Sequence, residues 1–176
     1  MVLYYKFTPG GIYADVYKRQ RMESGIIAVH SEDTTIAQMF ASVQQQFNVK
    51  AMEKDIFLSL FDTDLHAMCD AKWTVEALGN IVDNAIKYTS CGENVQIKAE
   101  QYSFFVKIDI IDDGIGIEKE EIPKIFGRFY RSLSVADQLG VGIGLFLSVS
   151  YTHLDVYKRQ GKENGTVGLL HMAMSW

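Results

Sequence analysis

A chain of 176 residues with 48% hydrophobic residues and a formal net charge of −5 is long enough for one domain with a substantial core. The hydrophobic content argues against disorder, and the negative balance gives no basic face for nucleic acid. No apolar run approaches the roughly 20 residues needed to span a bilayer, so no membrane contact is expected of this segment. The start, "MVLYYKFTPGG", lacks the basic and apolar regions of a signal peptide. Two cysteines, Cys69 and Cys91, form neither a disulfide framework nor a metal-binding spacing, as expected of reduced thiols in the cytoplasm.

Residues 1–20 show no helical or strand period and close with "DVYKRQ", a hexamer that returns at 155–160. The copies have unrelated flanks and are too short for a solenoid unit. The hexamer reads as an adapter-derived scar, with "YTHLDVYKRQ" as its longer form; a genuine short repeat is the alternative. "RMESG" (21–25) resembles a helix end halted by Gly25. "IIAVHSED" then reads as a strand, with Ser31 and Asp33 available to cap the next helix. Ile36, Met39, Phe40, Val43 and Phe47 fall at helical spacing and predict a helix from Thr34 to about Val49.

"DIFLSLFD" (55–62) has the pattern of a buried strand, and Asp70 is placed to cap a helix from Ala71 to about Tyr88. "NVQIKAEQ" and "SFFVKIDIID" predict two strands with Tyr102 and Ser103 near the turn. The second is apolar apart from Lys107 and Asp109, which suits a central position. "DDGIGI" ends it as a glycine turn, "EKEEIPKIF" suggests a short helix, and 127–139 carries loop chemistry. After Gly144, Leu145, Leu147, Val149 and Tyr151 alternate at period two, which supports a helix poorly beyond its first turn. This order of elements predicts a two-layer α/β sandwich with a mixed, mostly antiparallel sheet and helices on one face.

On the helix 71–88, Val75, Leu78, Ile81, Val82 and Ala85 gather on one side, while Asn80, Asn84 and Lys87 gather on the opposite side. Such a stripe is either a solvated face or a ligand site. Asparagine is a costly choice for a merely solvated helix face, and its amide can serve a hard cation or a phosphate. "DDGIGI" (112–117) places a carboxylate at a strand end, where a buried aspartate can accept a hydrogen bond from an exocyclic amine. A calcium-type loop needs more oxygen ligands than this stretch supplies, and a plain turn is the other alternative. "LGVGIGL" (139–145) fits neither a P-loop nor a dinucleotide-binding fingerprint. In "IFGRFYR", Arg128 and Arg131 could reach phosphate from a lid, while Phe126, Phe129 and Tyr130 could be core aromatics.

In combination, "NIVDNAIKYT", "DDGIGI", "IFGRFYR" and "GVGIGL" closely resemble the N, first glycine, F and second glycine boxes of sensor histidine kinases. The resemblance covers residues 21–148 and implies the ATP-binding catalytic domain, with the Bergerat-type fold shared with topoisomerase and chaperone ATPases. It implies that Asn84 binds a magnesium ion and that Asn80 assists at the phosphates. Lys87 and Tyr88 would contact phosphate and nucleotide. Asp112, rather than Asp113, would read the adenine amine in a pocket shaped by Gly114, Gly116 and Ile117. Phe126, Arg128 and Arg131 would belong to the lid, and Gly140, Val141, Gly142, Gly144 and Leu145 to the segment wrapping the phosphates. The implied partners are ATP, a dimerisation and phosphoacceptor domain, and a response regulator downstream. The implied location is cytoplasmic, with a parent protein that could be membrane-anchored.

The chain departs from that pattern at both ends. None of His30, His66, His153 and His171 has the neighbours of the phosphoacceptor motif, so the accepting histidine is expected on another segment. The expected layout is a foreign leader over 1–20, a dimerisation-helix remnant at 21–25 within the 21–148 domain, and a scar at 149–160. A partial last strand and a divergent tail would occupy 161–176. A nucleotide-binding module without turnover, or a serine kinase or ATPase of the same superfamily, stays open as an alternative.

Overall fold

The computed structural model describes residues 30–103, 105–127, 130–132, 145, 148 and 169–175. The expectations for 21–29, for most of 133–168 and for the repeated hexamer lie outside the described residues. Strand β1 (Glu32–Thr35) runs directly into helix α1 (Ile36–Glu53). The five apolar residues at helical spacing are all buried on α1, with Ala51 beside them. Because the strand continues to the first helical turn, Thr35 takes the N-cap place in place of Ser31 or Asp33, and no side chain caps the helix. The Asp33 carboxylate instead lies 3.3 Å from His66 Nδ1.

Helix α1 runs one turn beyond Val49 and stops in a Schellman turn. Asp55 N–H donates to the Met52 carbonyl at 3.0 Å and Ile56 N–H to that of Ala51 at 2.8 Å, with Asp55 at φ 55°. Strand β2 (Phe57–Leu60) comes next, and the structure corrects its expected burial. It is an edge strand paired only with β4 among the described residues, so Phe57 points outward and is 62% exposed. Leu58 and Leu60 pack on the core. His66 opens strand β3 (His66–Cys69), whose Ala67 and Cys69 are buried.

Asp70 caps helix α2 (Ala71–Tyr88) as expected. Strands β4 (Asn94–Gln101) and β5 (Phe105–Asp112) form an antiparallel pair, and β6 (Leu169–Ser175) pairs parallel with β5. Strand β6 lies within 161–176, the stretch expected to hold a partial last strand and a divergent tail. The four-stranded sheet has the order β2-β4-β5-β6, and β1 and β3 form an antiparallel pair packed beside β6. The sheet is mixed as expected, but two of the three pairings in the four-stranded sheet are parallel, which corrects the expectation of a mostly antiparallel one. Its β2–β4 and β5–β6 pairings are parallel, because crossovers rather than hairpins join those strands in the chain.

Alternation along β4 and β5 sends Val95, Ile97, Val106, Ile108 and Ile110 to one face, where both helices close over them. This is the expected two-layer sandwich. On the other face of β5, Lys107 Nζ lies 2.9 Å from the Asp109 carboxylate, and both side chains are buried. The stretch expected as a short helix, 118–126, is a series of turns. Pro123 has no N–H to continue the ladder, so bonds such as Ile122 N–H to the Glu118 carbonyl do not propagate.

Candidate functional site

The start of α2 is fixed from two directions by one carboxylate. Asp70 Oδ1 accepts from Trp73 N–H at 3.1 Å, and Oδ2 accepts from His30 N–H at 2.7 Å. Leu78, Ile81, Val82, Ala85 and Ile86 then enter the core, which leaves Asn80, Asn84 and Lys87 partly buried on the remaining face. Among the described residues, Asn80 Nδ2 is buried with no hydrogen-bond partner. Leaving such a donor unsatisfied costs about 1–3 kcal/mol. Ligand oxygens reaching this face would remove that cost, so the donor fits a phosphate-bearing group.

The far end of α2 meets the turn after β5. A Cβ added at Gly114 would stand 2.9 Å from the Tyr88 carbonyl oxygen and 2.6 Å from Asp112 Oδ1, so only glycine fits between helix end and strand end. Two residues on, Gly116 has open space around it but a φ of 71°, and its requirement is conformational. Gly114 thus lies against both Tyr88 and Asp112. Lys87 Nζ sits 4.9 Å from the centre of the Tyr88 ring.

The two adjacent aspartates behave differently. Asp113 accepts from Asn94 Nδ2 at 2.9 Å, is exposed, and ties the turn to β4. Asp112 is partly buried, with Gly114 N–H donating to its Oδ1 at 2.9 Å. Burial pushes the Asp112 carboxyl above its ordinary value; the Gly114 hydrogen bond opposes this, and Asp113 adds to it. A half-desolvated carboxylate with one donor satisfied is suited to accept from a ligand amine.

Beyond the second glycine stretch, Leu145 and Ser148 are helical. Ser148 Oγ donates to the Ala77 carbonyl at 3.1 Å, which places Ser148 on α2 one turn before Asn80. Ile117 follows the Gly116 turn, and Phe126 and Arg131 are partly buried in the segment beyond it. There Tyr130 Oη donates to Glu121 Oε1 at 3.0 Å. Arg128, Gly140, Val141, Gly142 and Gly144 lie outside the described residues. Sequence reasoning missed Lys54, whose ammonium reaches the last carbonyls of α2. The signal was a lysine at a helix end, directly before a polar residue able to turn the chain.

Among proteins of known family, residues 69–171 match the family described as histidine kinase-, DNA gyrase B- and HSP90-like ATPase. The chain belongs to this family. The match runs from the start of α2 into β6 and takes in the helix, the β5 turn and the glycine-rich stretch, so the site lies in an ATP-binding catalytic domain. The chain is 31% identical over 125 residues to the sensor protein kinase PmrB of Pseudomonas aeruginosa, covering 71% of this chain and 26% of that protein. It thus spans about a quarter of that relative's length.

In fold it is similar to the histidine kinase AdeS of Acinetobacter baumannii, with a TM-score of 0.63 at 21% identity, over 81% of this chain and 66% of that one. It is also similar to full-length ShkA solved in complex with AMPPNP, with a TM-score of 0.64 at 21% identity, over 88% of this chain and 32% of that one. Among the described residues, no helix is long and apolar enough to cross a membrane, and no group of three or more His, Cys, Asp or Glu is placed to hold a metal.

Proposed function

We propose that this histidine-kinase ATP-binding domain transfers the γ-phosphoryl group of Mg-ATP to a histidine on a separate dimerisation and phosphoacceptor domain. The observation that supports this most directly is the meeting of the α2 end with the β5 turn. Gly114 packs there against both Tyr88 and Asp112, and on the same helix Asn80 Nδ2 is buried without a partner among the described residues.

In this reading the Asp112 carboxylate accepts a hydrogen bond from the adenine amine, and Gly114, Gly116 and Ile117 shape the space beside it. Asn80 Nδ2 donates to phosphate, and Lys87 and Tyr88 contact phosphate and nucleotide. Asn84 would hold magnesium through its amide oxygen, a hard donor of the kind that ion takes. Bound magnesium supplies electrostatic relief to the phosphates. Arg128 and Arg131 add positive charge from the lid, and residues 140–145 wrap the phosphates.

The domain works in the cytoplasm and passes its phosphoryl group, through the acceptor histidine, to a response regulator. The segments 1–20 and 149–160 are foreign to it, which re-sequencing of the source DNA across 15–25 and 148–165 tests. The functional test is titration of the folded chain with AMPPNP with and without magnesium. Saturable, magnesium-dependent binding that Asn84→Ala weakens supports the proposal, and failure of the folded chain to bind removes it. An isolated acceptor domain then acquires acid-labile phosphate in trans if the chain turns over.

A further inference from the structure

We propose that Lys54, at the end of α1, is a positioning residue that sets the nucleotide site by holding the C-terminus of α2. The Schellman turn at Asp55 swings the chain so that Lys54 faces the neighbouring helix end. Its Nζ donates to the carbonyls of Ile86 at 2.8 Å, Lys87 at 2.6 Å and Thr89 at 2.7 Å. An ammonium has three protons, and each has an acceptor here.

These carbonyls belong to the last turn of α2 and its cap, where the helix itself leaves acceptors unmatched and the dipole favours a cation. Lys87 and Thr89 flank Tyr88, whose own carbonyl closes against Gly114. Lys54 therefore grips the backbone on either side of the residue that meets the Asp112–Gly114 turn. On the opposite side, Gly92 N–H donates to the Asp55 carbonyl at 2.8 Å, so the α1 end is itself anchored to the approach to β4. Lys54 acts through Tyr88 and Gly114 rather than on the ligand.

This inference rests on the nucleotide reading of the site, and its test separates the two. Lys54→Met removes the donors and the charge while keeping an aliphatic stem, and Lys54→Gln, which keeps a donor, serves if the methionine variant does not fold. Val43→Ala, in the core far from the α2 end, is the control for stability loss alone. AMPPNP affinity of the 176-residue chain, measured below every melting temperature, should fall about tenfold or more for Lys54→Met, because small misplacements of a binding group carry such penalties. Lys54→Arg should regain part of that loss, and Val43→Ala should bind as the unaltered chain does.

Amide exchange without ligand provides the second readout. Lys54→Met should speed exchange over 86–89 and at Gly114, whose N–H is held by Asp112, while Val43→Ala should leave Gly114 protected. Unchanged affinity and unchanged Gly114 protection in Lys54→Met overturn the inference. Should the unaltered chain bind no AMPPNP, the nucleotide reading fails, and the exchange measurement alone still decides whether Lys54 sets the turn.

Discussion

Replacing Gly114 by alanine tests the geometry on which the site depends. The added methyl would lie 2.6 Å from Asp112 Oδ1, 2.9 Å from the Tyr88 carbonyl oxygen and 3.1 Å from its carbon. Two of those atoms are backbone at a helix end already held by Lys54, and the third accepts the Gly114 N–H. None can move aside without breaking another contact. Overpacking of this kind costs about 1–3 kcal/mol, which lowers the melting temperature of a chain this size by roughly 2–4 °C per kcal/mol. Gly116→Ala is the matched comparison. It meets no atom within 4 Å, and pays only for its φ of 71°, about 1–2 kcal/mol. Thermal melts and AMPPNP titrations of both variants should show similar melting losses but a larger affinity loss for Gly114→Ala, which pushes Tyr88 and Asp112 away from the turn. A Gly114→Ala protein that melts and binds like the unaltered chain would refute the packing argument.

Asp112→Asn keeps an oxygen for the Gly114 N–H and removes the charge. It should weaken AMPPNP by the charged component of one hydrogen bond, about 1.5–3 kcal/mol, or roughly 10- to 150-fold at 1.4 kcal/mol per decade. Since burial raises the Asp112 pKa in the folded state, its contribution is fully present below the unfolded value and lost as pH rises through the folded one. Asp112→Asn should therefore flatten the decline in ligand-free stability across that acidic window, as chemical denaturation against pH would show. Lys107→Met strands the buried Asp109 carboxylate and should cost about 3–5 kcal/mol, most of it recovered by adding Asp109→Leu; additive losses in urea titrations would exclude coupling of the pair. Asp55→Gly relieves a left-handed residue at an exposed helix stop and should leave stability unchanged or raise it by up to about 1 kcal/mol; a clear fall in the denaturation midpoint would assign the Asp55 side chain a role of its own.

Periodicity carried most of the fold. The α1 apolar positions and the Asp70 cap were legible because each is a local pattern with a local cause, and the strong apolar run of β5 correctly implied a central strand. What escaped depends on partners distant in the chain. The run 55–62 looks buried by composition, yet β2 lies at an edge because only β4 pairs with it, and Phe57 is left outside. Strand β3 is four residues long, and its alternation of Ala67 and Cys69 is too short to stand out. The turns at 118–126 arise from a proline whose effect outweighed a helix-favouring composition. In the site, the wheel of α2 showed Asn80, Asn84 and Lys87 together, but no pattern could disclose that Tyr88 touches Gly114 or that Lys54 holds the helix end.

Those hidden contacts share an energetic direction. Among the described residues Asn80 Nδ2 is buried without a partner, and burial disfavours the charged form of Asp112, so the ligand-free domain carries costs at the positions proposed to meet nucleotide. Such costs persist when the surrounding structure over-determines them, and here the Lys54 clamp, the Asp70 cap and the Gly114 contact do so from separate elements. A ligand that satisfies the orphaned donor and the carboxylate stabilises the folded state by mass action, about 2.7 kcal/mol at a hundredfold excess over its dissociation constant. The site is therefore held open by contacts remote from the ligand, and its own polar groups are left to be completed by the molecule that binds. Repairing those groups within the protein would strengthen the empty domain and weaken its grip on nucleotide, which is why stability and binding should move in opposite directions at Asp112 but fall together at Gly114.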